Sequence, residues 1–279
     1  MLISQKSRYK LKIEYDEDGL NPRTDYDNFG HMICWHSRYN LGDENNYSEP
    51  KELLRELARS TLDEQEIIDY LKKGNSDTVK LDYNRSSREW ELNVYCDFLK
   101  KWFAEYTFPA KLENSKGLVS EGILENLPIS NLQELAERKN IILPIYLYDH
   151  SGITINNSGF HCPWDSGQIG WIYASHDEVK ENYGVLSQES LENAENLVRS
   201  ETSTYDSYIR GECYGYTIEK DGEGIDSCWG FLGGFREVLG YMKDNVTDDL
   251  KYLFDHIDYD CMEYDEQDED DEDDEDIEL

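Results

Sequence analysis

The chain has 279 residues, 61 of them acidic and 27 basic, for a net charge of −34. That length buries a core as one large domain or two small ones, and an aromatic content of 13% argues against a wholly disordered chain. The acid excess argues against direct nucleic-acid binding, which needs Lys and Arg to neutralise phosphates, and against anionic membrane surfaces.

No apolar run is long enough for a transmembrane helix, and Met1 to Lys12 lacks the apolar stretch of a signal peptide. Six cysteines are spread along the chain with no CxxC pair. Reduced thiols and a soluble, cytoplasmic protein are the expectation.

Leu11, Ile13 and Tyr15 alternate with polar residues and predict a strand over 8–16. The segment HMICWH (31–36) predicts a second strand, preceded by a turn-rich stretch. Pro50 suits the first turn of a helix through KELLRELARS, and Thr61 with Glu64 reads as a capping box for a helix stopped by Gly74. Apolar residues at 92, 95, 96, 99, 102, 103 and 106 follow a helical period and predict a helix over 88–106. Ser130 and Gln133 predict the cap of a short helix ending near Arg138. ILPIYLYDH then reads as a buried strand closing on the turn His150-Ser151-Gly152. QIGWIYAS predicts another strand, leading into a helix capped by Ser175 and Glu178. The longest helical candidate covers 187–209 and stops at Gly211. ECYGYTIEK and DSCWGF flank DGEG as a hairpin, and helices over 233–244 and 247–256 follow.

This order predicts an α+β fold: one compact mixed domain over 1–264, with a central, largely antiparallel sheet and peripheral helices. The segment 265–279 holds 12 acids in 15 residues and no base. It is expected to be a disordered acidic tail, because like charges at that density repel.

The segment His31-Met32-Ile33-Cys34-Trp35-His36 places Cys34 and His36 on one strand face and His31 on the other. A zinc site would need further ligands from afar, such as His161 and Cys162, and nothing in the spacing demands it. Cys34 packing in a core, with the histidines bonded locally, is the simpler account, and neither a metal nor a cofactor is expected. A nucleophilic pair of Cys34 or Cys162 with a histidine such as His150, oriented by an Asp, is the second possibility. No local signature of a common cysteine protease accompanies it, and no phosphate-binding glycine motif is present. The carboxylates of Asp16-Glu17-Asp18-Gly19 and Asp25-Tyr26-Asp27-Asn28 do not match the calcium-loop pattern and read as solvated turns. The block 157–173 is the densest in unusual residues. His161, Cys162, Pro163, Trp164 and Asp165 predict a rigid loop packed by its tryptophan, serving either as a ligand or partner loop or as a structural corner.

Three blocks, DYDNFGHMICWHSRYNLGD (25–43), ILPIYLYDHSGITINNSGFHCPWDSGQIGWIYAS (142–175) and CYGYTIEKDGEGIDSCWGF (213–231), resemble an uncharacterised family of bacteriophage and mobile-element proteins. The resemblance implies a genomic setting in which small acidic proteins counter host defence, in the bacterial cytoplasm; it carries over no catalytic residue.

The leading functional expectation is a non-enzymatic, phage-encoded inhibitor of a defence nuclease, restriction or CRISPR complex. Its carboxylates would compete with DNA for a basic groove. The partner is then a basic nucleic-acid-binding host protein. The expected contact residues are Asp265, Glu266, Asp268, Glu269, Asp270, Asp271, Glu272, Asp273, Asp274, Glu275 and Asp276. A hydrolase or transferase using Cys34, His36, His150, His161 or Cys162 is the alternative. A scaffold component of a virus particle is a third, and self-association is compatible with any of them.

Overall fold

The computed structural model of the chain describes residues 2–6 and 8–257, the side chains of 2–6 and of His256 excepted. The acidic segment 265–279 and its expected contact carboxylates lie outside the described residues. The α+β class, with antiparallel sheets, is observed. The strands are shared among three sheets, and packing divides the chain into two compact units: Met1–Asn21 with Ser207–Leu279, and Pro22–Asp206. No Pro- or Ser-rich linker marks this division in the sequence.

The discontinuous unit is a four-stranded sheet in the order β1 (Leu2–Lys6), β2 (Tyr9–Tyr15), β10 (Cys213–Lys220), β11 (Glu223–Leu232). Leu11 and Ile13 of β2 meet Tyr214, Tyr216 and Ile218 of β10 in one apolar cluster, as the two-residue period of a strand requires. Helix α8 (Phe235–Asn245) adds Val238 and Met242 to it. The hairpin predicted at DGEG is present. Asp221 and Gly222 both take left-handed backbone, with φ of 53° and 88°, the conformation a two-residue Asp-Gly turn demands. The helix predicted over 247–256 is a 3₁₀ helix over Lys251–His256. Its start is delayed because Thr247 Oγ1 bonds Asp249 at 2.6 Å and the Leu250 amide bonds the Thr247 carbonyl at 2.9 Å, closing a local turn instead.

The continuous unit begins with a single helical turn, α1 (Pro22–Asp25), and β3 (His31–Cys34). Helices α2 (Pro50–Thr61) and α3 (Glu64–Lys72) follow. The cap of α3 is two residues later than expected: Asp63 and Glu66 form the capping box. Thr61 is instead the last residue of α2, its hydroxyl donating to the Leu57 carbonyl at 2.7 Å. Strands β4 (Val79–Asn84), β5 (Glu89–Cys96) and β6 (Lys101–Phe108) form one antiparallel sheet. The helix predicted over 88–106 is therefore a hairpin. Helices α4 (Lys116–Asn126) and α5 (Ile129–Ala136) come next. The cap of α5 is Pro128, so Ser130 lies within the helix.

Strands β7 (Asn140–Asp149), β8 (Ile153–Asn156) and β9 (Ser166–Ser175) join β3 in a sheet ordered β3-β9-β7-β8. Helix α6 (His176–Tyr183) has the predicted Ser175–Glu178 capping box, and α7 (Gln188–Ile209) is the longest helix. The core draws on Leu53 and Leu54 of α2, Ile68 of α3, Leu92 of β5, Ile123 of α4 and Leu132 of α5, joined by Ile142 and Trp171 of the β3-β9-β7-β8 sheet. Each fully buried aliphatic chain contributes about 1.5–3 kcal/mol relative to exposure.

One buried ionic knot ties the chain around β3. The Arg23 side chain, 1% exposed, donates to both carboxylate oxygens of Asp43 at 2.7 and 2.8 Å and to the Gly30 carbonyl at 2.7 Å. Glu201 of α7 meets the same guanidinium at 3.3 Å and accepts from the amides of Phe29 and Gly30. The knot positions the start of β3 and, with it, one wall of the cleft described next.

Candidate partner-binding cleft

Strand β7 ends at Asp149, and the chain returns through β8 and the loop 157–165 to β9. The loop is shaped by backbone satisfaction. Asn156 Oδ1 accepts from the amides of Ser158 and Gly159 at 3.0 and 2.7 Å, an Asx turn. Asn157 donates to the Pro144 carbonyl at 2.9 Å, and the Asp149 amide donates to the Asp165 carbonyl at 2.9 Å. The Tyr148 ring stacks with both Phe160 and His150, at centroid distances of 5.5 and 6.0 Å.

Facing this loop is the segment after β3. The Trp35 amide donates to the Ile169 carbonyl at 2.7 Å and its indole to the Tyr47 carbonyl at 3.0 Å. The His36 ring lies flat on Tyr39, 5.0 Å between centroids and 7° between planes. His36 Nδ1 accepts from the amides of Arg38 and Tyr39, both at 3.3 Å. The Arg38 guanidinium bonds the Asp149 carboxylate and lies over the Tyr39 ring, 5.5 Å from its centre. Tyr39 itself donates to Asp149 at 3.3 Å.

Between the walls lies a cleft of about 410 Å³ lined by His36, Arg38, Asp149, Trp164, Asp165 and Gln168, with Leu147 and Ile169 buried beneath. Volumes in this range suit a side chain or small ligand. Trp164 corrects the sequence reading: it does not pack its loop but stands 91% exposed at the cleft rim. The packing role falls to Phe160 on Tyr148, because the turn at Gly159 aims residue 160 back along β7.

The remaining predicted residues separate by environment. Cys34 pairs with Gly170 in the β3–β9 ladder, and burial pushes its thiol up to about 12, far from the thiolate a nucleophile needs. The strand ends at Cys34, so His36 lies beyond it and does not share a strand face with the thiol. His31 is bonded through Nε2 to Glu178 at 2.7 Å. His150 and Cys162 converge on one carboxylate: His150 Nδ1 is 3.4 Å from Asp165 Oδ2, and the Cys162 thiol reaches the same oxygen at 3.8 Å. His161 and Pro163 are exposed. Among the described residues no thiol has an imidazole as its hydrogen-bond partner, and no cluster of His, Cys, Asp and Glu is arranged to hold a metal. The acidic turn at Asp16 is locally closed, the Asp18 amide donating to Asp16 Oδ1 at 3.2 Å.

Arg38 and Tyr39 were not singled out by the sequence. Their partner Asp149 is 111 and 110 residues away, and no local spacing announces such a pairing.

No protein-family model, curated protein or solved structure matches the chain. Charge therefore has to be read from the molecule itself. The stretch 22–206 carries 32 acidic and 18 basic residues, and residues 258–279 carry 15 acidic ones and no base. Many cations are already bonded to the chain's own carboxylates: Arg59 to Glu121 and Glu56, Lys139 to Glu66, Arg199 to Glu195, Lys12 to Glu219. No described helix is long and apolar enough to cross a membrane.

Proposed function

We propose that this chain is a non-enzymatic interaction protein that occupies the nucleic-acid-binding surface of a basic partner. The observation that carries the reading is the charge itself, 61 acids against 27 bases, with many of the described cations bonded to the chain's own carboxylates. Duplex DNA presents one charge per about 1.7 Å of axis, and a groove built for it holds Lys and Arg side chains that accept any well-placed polyanion. Carboxylates arriving there release the partner's bound anions and benefit from long-range steering. The segment 265–279 holds 12 acids in 15 residues, a linear charge density that approaches one charge per unit, as in a nucleic-acid strand. The resemblance to phage and mobile-element proteins supports a host defence nuclease or a related complex as the partner.

Affinity capture from a bacterial host followed by competition with duplex DNA tests this. The captured protein is expected to be basic and to leave the complex as DNA is added. A captured partner that holds DNA and this chain at once contradicts the proposal.

A further inference from the structure

The cleft between Arg38 and Trp164 shows how it receives a guanidinium, because it already holds one. Arg38 bonds the Asp149 carboxylate while lying over the Tyr39 ring, the combination of charge-assisted bonding and ring stacking that distinguishes arginine from lysine. The same pair of elements recurs beside it, since Asp149 and Asp165 are neighbours through their backbones. Asp165 offers a carboxylate that is 42% exposed, and next to it stands the Trp164 indole, 91% exposed. Among the described residues, Asp165 Oδ2 meets only an imidazole at 3.4 Å and a thiol at 3.8 Å, neither of which offers the planar fork of an arginine. Gln168 lines the same space, its side-chain nitrogen engaged with the Gly170 carbonyl at 3.2 Å.

We infer that Trp164 and Asp165 form a docking site for an arginine side chain of the partner, with the guanidinium stacked on the indole and bonded to the carboxylate. This rests on the proposed function, whose partner is basic, and adds what a diffuse charge surplus does not supply: a fixed anchor that discriminates arginine from lysine. Tryptophan is the strongest ring for such stacking, and Trp and Arg are both enriched among the few residues that carry most of the binding energy at protein interfaces. The site is built to persist in a variant. The Asp165 backbone carbonyl, not its carboxylate, carries the bond to the Asp149 amide, so Asp165→Asn keeps the loop closed, and Trp164→Ala removes an exposed ring.

The test uses the full chain and two probes, oligo-arginine and oligo-lysine peptides of equal length, titrated at one ionic strength. Oligo-arginine is expected to bind roughly tenfold more tightly, the sum of stacking and forked bonding at one site. Trp164→Ala and Asp165→Asn should each abolish that preference, lowering the affinity for oligo-arginine by more than that for oligo-lysine. Equal binding of both peptides by the unaltered chain, or a preference that survives both substitutions, overturns the arginine site and leaves the anionic reading standing. Failure of both peptides to bind overturns the anionic reading, and the arginine site with it.

Discussion

His31 illustrates how a single side chain couples structure to pH. Its bond to Glu178 raises the imidazole above its usual value and holds the Glu178 carboxyl down at about 2. These are two views of one contact and count once. A group titrating higher in the folded state than in the unfolded state stabilises the fold below its unfolded value and loses that contribution as pH rises through the folded one. For Glu178 the sense is reversed: its contribution is present above about 4.3 and fades as pH falls toward 2. The contact therefore contributes most between roughly pH 4.5 and 6.5. With the ring partly exposed, the magnitude is under about 1 kcal/mol. Melting temperature followed from pH 5.5 to 8.5, an interval around the usual imidazole value, should fall in the native chain relative to a His31→Asn variant. Parallel curves would show that the contact contributes nothing. For Cys34 and His36 the simpler reading of the sequence holds: the thiol is packed and the imidazole is bonded locally. The pairing of Cys34 with Gly170 in the ladder is set by tertiary placement, whereas the amides that hold His36 lie two and three residues along the chain.

At the level of elements, the strands written as β-branched and aromatic runs and the helices with strong caps were legible. Strands β7, β9 and β10, the capping box of Ser175 and the Asp-Gly turn all follow from local chemistry. The β5–β6 hairpin did not, because aromatic residues occupy both faces of its sheet. Val94 faces Phe103 across one face and Tyr95 faces Trp102 across the other, so the apolar positions merge into a spacing that imitates a helix. Helix α4 escaped notice for a different reason. Its Gly117 and Gly122 count as helix breakers in a composition reading, although an added Cβ at Gly122 would meet Leu92 and Phe108 only at the ordinary contact distance of 3.5 Å. Gly170 is the sharper case. A Cβ there would sit 2.0 Å from the Ile33 carbonyl oxygen, so β3 and β9 pair at this register only with glycine. Gly170→Ala is expected to cost on the order of 2–4 kcal/mol and to displace the His36–Tyr39 wall of the cleft. Chemical denaturation reads the first effect; unaltered stability would mean that the strands accommodate the methyl group by a shift not foreseen here.

For the molecule as a whole, the sequence conveyed net charge and fold class but not the division into two units, since one unit joins residues from both ends of the chain. That closure depends on β2 pairing with β10 across some 200 positions, Tyr9 opposite Lys220, which no local pattern encodes. The cleft was half legible: its loop stood out by composition, whereas the Arg38–Asp149 wall opposite is a long-range product of folding. The functional account stands on electrostatics, and electrostatics has a direct signature. Replacement of DNA by carboxylates on a basic surface displaces bound ions, so the logarithm of affinity should fall steeply and linearly with the logarithm of salt concentration. The dissociation constant of the captured complex, measured from low to moderate salt, tests this most directly. The account predicts weakening by orders of magnitude over that range; an affinity that stays flat would contradict it.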